Sequence, residues 1–390
     1  MELVTIILGL FLLALVLWDV FQTIVVPRPT PGTFRIARYV VRGSWRIVRA
    51  IGRRVGPGPR DWLFGLFGPA AAIGLLITWL TSLVLGYGLV LYGIRDQIRP
   101  VPESLGTTVY FAATSVLTLG YGDIVADGWL ARLIVLVAAA TGLGVVALVV
   151  TFLFSIYGSY QSRELEVIRL QATAGAPPSA VTLLEAFARL ELRDRLPAFF
   201  VVWQRWAAEV LDSHVAYPVL TFFRSSHDNL SWISALGTVL DASCLVLTTI
   251  RDVPRGDAEL LRRVGSHLVE DISNLGFRSG VARPLDREAF DLAYARLGET
   301  GYELEPAEEA WPRFEAARSR YVERLETMAN YWEVASTSWL GEMEELRSVV
   351  HLAEASAARS STPAPSSCTG ESGPKSRSRA STHHIRSDRR

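Results

Sequence analysis

The amino-acid sequence predicts an all-α membrane protein with a helical soluble half, and three observations carry the prediction. Three apolar runs, 3–26, 62–93 and 129–157, each exceed the ~20 residues needed to cross a bilayer core of about 30 Å. Half of the 390 residues are hydrophobic and mean hydropathy is positive, a high value for a soluble chain of this size. Beyond residue 157, helix-length segments follow one another between Gly and Pro punctuation, and strand signals are sparse.

The first run, expected as an N-terminal anchor over 1–27, begins with Glu2 and lacks a basic leader and a small-residue cleavage site, so a retained helix is expected rather than a signal peptide. Asp19 and Gln22 share one face of its second half. An intramembrane carboxylate is a candidate functional group, and an interfacial or helix-contact role is the alternative.

Segment 28–61 is basic. Nine arginines and no acidic residue occupy 28–60, which places it on the cytoplasmic side and the N-terminus outside. Arg35, Arg38, Arg42, Arg46, Arg49 and Arg53 advance by three or four residues and form one stripe of a helix. Such a stripe suits a voltage sensor, but only one apolar span precedes it. The expectation is therefore an amphipathic helix on the inner leaflet, facing anionic lipid. Net charge is zero because carboxylates beyond residue 160 balance these arginines. Lys375 is the one lysine, a bias expected of a GC-rich prokaryotic genome.

The second run, 62–93, carries a Gly86-Tyr87-Gly88 triplet without a preceding Thr or following Asp, and reads as ordinary helix. A polar loop over 95–102 follows. Ser104 can cap a helix through Leu117 that is too short to cross, hence re-entrant, with the negative end of its dipole toward the membrane centre. Next comes 114–123, TSVLTLGYGD. A pore that passes a dehydrated cation replaces its water with backbone carbonyls aimed at one axis. Aiming successive carbonyls the same way requires positive φ at intervals, which glycine adopts with little penalty. Gly120 and Gly122 stand where that need arises, so the carbonyls of Thr118, Leu119, Gly120 and Tyr121 form the expected ion ladder, closed at its inner end by the Thr118 hydroxyl. Tyr110 and Phe111 either pack behind this ladder or anchor at the interface. Gly142, mid-way along the third run, permits either a bend or a close helix contact.

Residues 64–157 resemble the pore domain of two-transmembrane potassium channels: outer helix, pore helix, selectivity filter and inner helix. The TLGYGD motif in this setting carries the resemblance, which covers about a quarter of the chain. It implies a potassium-selective channel that conducts passively as a homotetramer, with K+ at Thr118, Leu119, Gly120, Tyr121 and Gly122, Asp123 bracing the outer mouth, and Gly142 as gating hinge. Leu119 stands where valine is commoner, and the N-terminal helix and basic segment lie outside the family pattern. A non-conducting receptor or scaffold that keeps the pore fold is the alternative.

After the pore domain, 62–157, a cytoplasmic all-helical domain is expected over 158–356. Its helices are expected at 179–195, 198–212, 230–250, 257–275, 286–297 and 306–355, with Pro197 breaking the first pair. In the last, Leu325, Trp332, Trp339 and Leu346 recur every seven residues, with Tyr321, Met328 and Ala335 between them. A bundle is expected over an intersubunit coiled coil, because two tryptophans overfill a coiled-coil seam. No dinucleotide fingerprint, nucleophile elbow or nucleic-acid motif appears, His214, His227 and His267 lack ligand spacing, and Cys244 and Cys368 form no framework. The reading is of no enzyme, no cofactor beyond permeant K+, and an unidentified cytoplasmic regulator. The Ser-, Pro- and Arg-rich tail, 357–390, is expected to be disordered.

Overall fold

A computed structural model describes residues 2–26, 35–225, 230–274, 287–334 and 340–341. The expected tail, together with His227, Ala335, Trp339, Leu346 and Cys368, lies outside the described residues. The architecture is all-α and membrane-spanning. Helix α1, Glu2–Val20, passes into a π turn, Phe21–Val25; α2 is Ile36–Gly52, α3 Pro57–Gly93, α4 Leu105–Val116 and α5 Trp129–Ala174. Of these, Glu2–Val25, Pro57–Gly93 and Trp129–Ala174 are long and apolar enough to cross a membrane.

Glycines set the spacing of α1 against α3. A Cβ on Gly9 would fall 2.7 Å from the Gly86 carbonyl oxygen, and one on Gly93 would fall 2.4 Å from Ile6, so the antiparallel pair packs backbone to backbone. Gly88 meets α4 on another side, where a Cβ would lie 2.7 Å from Val109. The first GYG triplet is thus helix, as expected, and its glycines serve contact with α1 and α4. Leu83, Tyr87, Phe111, Val116 and Val145 belong to the core these helices enclose.

Asp19 and Gln22 are buried where α1 passes into the π turn. Asp19 accepts from the Trp79 indole at 2.7 Å and from the Ala37 amide at 3.2 and 3.3 Å, so it caps the first turn of α2 while tying α1 to α3. Arg35 donates to the side chain and carbonyl of Gln22. These contacts favour the helix-contact reading of Asp19.

The apolar face of α2 is divided. Trp45 turns inward against Phe64, Phe67 and Phe222, with ring centroids 4.9 to 5.5 Å apart, whereas Tyr39, Ile47 and Ile51 face outward. The same core runs without interruption into the C-terminal helices. Those are α6 Ala180–Arg189, α7 Leu196–Ala216, α8 Trp232–Thr248, α9 Gly256–Ser273, α10 Arg287–Glu299, α11 Ala307–Arg318 and α12 Val322–Tyr331. Helix α8 is buried almost all round, the mark of a central element.

Two expectations need correction. Pro197 does not end a helix but sits in the first turn of α7, where its missing N–H costs nothing; the break comes earlier, at Glu191, with φ +56°. The helix expected over 306–355 is broken between α11 and α12. The break lets Arg318 and Tyr321 both reach Asp241 on α8, a fully buried carboxylate that needs both donors. Leu325, Met328 and Trp332 are buried in the chain's own core, as a bundle requires. Cys244 lies beside this cluster, and burial, reinforced by Asp241, pushes its thiol up to about 12, too high for a reactive thiolate.

Candidate functional site

The sequence segment singled out for chemistry begins with α4. Ser104 accepts from the Thr107 amide at 3.3 Å and so caps its start. The C-terminal end is closed by the segment that follows. Thr118 N donates to the Ser115 carbonyl at 3.0 Å, and the amides of Leu119 and Gly120 both donate to the Thr114 carbonyl at 2.7 and 3.2 Å. These bonds fold 117–120 back on the helix end and satisfy carbonyls that a helix C-terminus leaves orphaned.

From there the backbone alternates. Thr118, Gly120 and Gly122 have φ of +54°, +56° and +80°, while Leu119 and Tyr121 between them do not share that conformation. Alternate hands in successive residues turn successive carbonyls to one side, the arrangement an ion ladder needs. The two glycines were legible in the sequence; the positive φ of Thr118, an unusual state for a β-branched residue, was not. Nothing in the chain lies within 4 Å of a Cβ built on Gly120 or Gly122, and the side chains of Leu119 and Tyr121 are more than half exposed. A single chain leaves this stretch bare.

Its supports are close by. The Tyr110 hydroxyl stands beside the Asp123 carboxylate, and Phe111 is buried in the core behind. A two-residue antiparallel ribbon, unforeseen from the sequence, pairs β1, Ile98–Arg99, with β2, Val125–Ala126. The Gln97 carbonyl adds bonds from the Asp127 and Gly128 amides at 2.9 and 3.1 Å, so the loop before α4 is pinned to the strand after Asp123. Gly142 of α5 lies against the end of α4: a Cβ there would fall 2.0 Å from the Val116 carbonyl oxygen. Helix α5 is unbroken through Gly142, and the contact accounts for that glycine without a bend.

Past Tyr157, α5 carries on into the C-terminal core. Arg163 is buried there and its guanidinium makes five hydrogen bonds of 2.7 to 3.2 Å: two to Glu164 Oε1, one each to the Leu220 and Phe223 carbonyls, and one to His214 Nε2. Burial, with Arg163 adjacent, drives the His214 pKa well below its usual value, so the ring is neutral and Nε2 accepts from Arg163 while Nδ1 donates to the Val210 carbonyl at 2.8 Å. Neither residue carried a functional signal in the sequence; an arginine within a helix otherwise continuous with an apolar span was the one clue.

The arginine stripe is shared among partners. Arg35 turns to Gln22; Arg49 and Arg53 both donate to Glu333 Oε1 at 2.7 Å, with Arg60 at 3.7 Å from Oε2. Arg38 and Arg42 are half-buried and Arg46 is exposed. The stripe expected to face lipid as a whole therefore meets protein at Arg35, Arg49 and Arg53, because Glu333 and Gln22 supply acceptors that spacing alone does not reveal.

Residues 75–158 match the family model for Ion channel, spanning the second half of α3, α4, the 117–123 stretch and α5 to just past Tyr157. No curated protein and no solved structure matches the chain. The family match supports an ion channel of the pore-domain kind and covers less than half of the chain.

Proposed function

We propose that the protein is a potassium-selective channel in which four copies surround one pore and K+ moves passively down its gradient. The observation that carries the reading is the alternating backbone at 118–122, with left-handed φ at Thr118, Gly120 and Gly122, held at the end of a re-entrant helix. A ring of carbonyls needs several such segments; one chain supplies one, and leaves it uncovered. K+ is coordinated by the carbonyls of Thr118, Leu119, Gly120 and Tyr121, and Asp123, beside Tyr110, braces the outer mouth. The N-terminus lies outside and the C-terminal helices are cytoplasmic, as the arginines between α1 and α3 favour. Those arginines that do not hold protein groups meet anionic lipid of the inner leaflet. The continuity of α5 from Gly142 to Arg163 supports gating by the cytoplasmic helices, in response to a regulator the sequence does not encode.

The test is K+ against Na+ flux in liposomes holding the purified protein, with Gly120→Ala as control. Potassium-selective flux that the substitution abolishes is the expected result. Equal flux of the two ions through the wild type would overturn the reading.

A further inference from the structure

Helix α5 has a covered side and a bare side. At 46 residues it is roughly 69 Å long, more than twice a bilayer core of about 30 Å, so a large part of it stands beyond the hydrocarbon. The 158–174 part carries Arg163, Glu164, Glu166 and Arg169 and packs on the C-terminal helices. Along the last 23 residues, 152–174, one side is buried through Phe152, Ile156, Arg163, Val167, Leu170 and Ala174.

The opposite side is uncovered by the described residues. Phe154, Gly158, Gln161, Leu165, Ile168 and Ala172 are all exposed and advance by four and three residues in alternation, which at about 3.6 residues per turn keeps them on one line. Leu165 and Ile168, 49% and 38% exposed, are apolar side chains on a stretch that is otherwise charged or polar on its open surface. Toward Gly142, the exposed residues Leu143, Ala147 and Val150 continue the same line, so the bare side runs unbroken from the contact with α4 to the end of the helix.

Alternating steps of four and three are the repeat of a coiled-coil seam, with Leu165 at an a position and Gln161 and Ile168 at d positions. Leu at a with Ile at d is a pairing that favours more than two strands, tetramers among them. Arg169, at the flanking e position, is paired with Glu166 at 2.6 Å, so copies that meet here bring no unpaired cation to the seam. We propose that this stripe docks on further copies of the chain: the α5 extensions of four protomers run parallel past the pore, with Leu165 and Ile168 filling the centre and Gln161 forming one polar layer that fixes their register. The proposal rests on the fourfold reading given above, because four identical helices that leave one pore side by side arrive parallel and level, each bare stripe turned to the others. The C-terminal cores then hang outside the seam, each held by the covered side of its own α5.

The test is chemical cross-linking of the full-length protein in liposomes, in a Cys368→Ser background, with a bis-maleimide whose reach matches the roughly 8–10 Å between packed helix axes. Leu165→Cys and Ile168→Cys, both at positions exposed in the single chain, should each give covalent dimers in high yield. Leu260→Cys, equally exposed but on α9, should give at least tenfold less. Equal yield from Leu260→Cys would mean collision rather than a seam and would overturn the proposal. Native mass spectrometry of the wild type in detergent counts the copies and separates the two readings. Four copies with no dimers from either Leu165→Cys or Ile168→Cys would overturn the seam and leave the fourfold pore standing. A single copy would overturn both. Dimers from Phe154→Cys alone would place the meeting of the four helices higher on α5 and would likewise overturn the seam.

Discussion

Gly142 and Val116 are in backbone contact: the inner helix passes the end of the re-entrant helix so closely that any side chain at 142 would overlap the Val116 carbonyl oxygen, 2.0 Å from a Cβ. Gly142→Ala must therefore push α5 from α4 at the point where the 117–120 segment folds back. Overpacking of this kind costs about 1–3 kcal/mol. Gly144→Ala, where nothing lies within 4 Å in the chain, is the comparison. Thermal melts should place Gly142→Ala several degrees below wild type and Gly144→Ala near it; equal melting temperatures would remove the contact's importance.

Tyr110→Phe removes the hydroxyl that faces Asp123. Little loss of stability is expected, since Asp123 is exposed in the single chain and water can replace the hydroxyl. Flux should decline faster over time in the variant than in wild type under low external K+, while initial selectivity is kept.

Asp19→Ala strips the acceptor from the Trp79 indole and from the first turn of α2. Leaving those donors buried and unmet costs about 1–3 kcal/mol. Asp19→Asn keeps one oxygen and should recover much of the loss. Identical melting of the two variants would show that the hydrogen bonds are not what Asp19 contributes.

Glu333 joins the end of the C-terminal helices to α2. Burial raises its pKa, but Arg49 and Arg53 outweigh burial and hold the carboxyl below its usual range. Because the folded value is depressed, the stabilisation is complete above the unfolded carboxylate pKa and fades only as pH falls through the lowered folded value. Glu333→Gln should raise hydrogen exchange in α2 at neutral pH, and wild-type α2 should stay protected down to about pH 5.

His214 behaves in the opposite sense. Buried and neutral beside Arg163, it has a folded pKa well below the unfolded one. The unfolded chain therefore takes up a proton first as pH falls below about 6.5, and stability drops by up to about 1.4 kcal/mol per pH unit until the folded value is reached. Exchange protection of α7 and of the 158–174 part of α5 should fall between pH 7 and 5 while α2 holds at Glu333. A flat pH profile in His214→Gln would assign the loss to this ring; an unchanged slope would assign it elsewhere.

The three spans, the re-entrant helix and the glycines of the ladder were legible because each follows from local rules: a hydrocarbon length, a capping serine, and backbone conformations that favour glycine. The end of α11 was not, since its cause is a buried carboxylate 77 residues away in sequence, Asp241, drawing in Arg318. Likewise an arginine period describes a helix face but not its neighbours; Glu333 lies 284 residues from Arg49. Thr118 shows the same limit at the site itself, where the fold imposes a left-handed backbone on a residue whose intrinsic preference is against it.

Helix α5 is one rod from its contact with α4 to the C-terminal core, and a rod is a lever. Between Gly142 and Arg163 it spans roughly 32 Å at 1.5 Å per residue, so a tilt of only about 5° at the glycine would sweep the guanidinium through roughly 3 Å. That distance equals the length of a hydrogen bond, and three such bonds tie Arg163 to residues outside α5, His214, Leu220 and Phe223, at 2.7 to 3.2 Å. Such a set cannot stretch to follow the motion; it must be kept entire or exchanged for another. The anchoring of one arginine thus turns any continuous tilt of α5 into a choice between two positions.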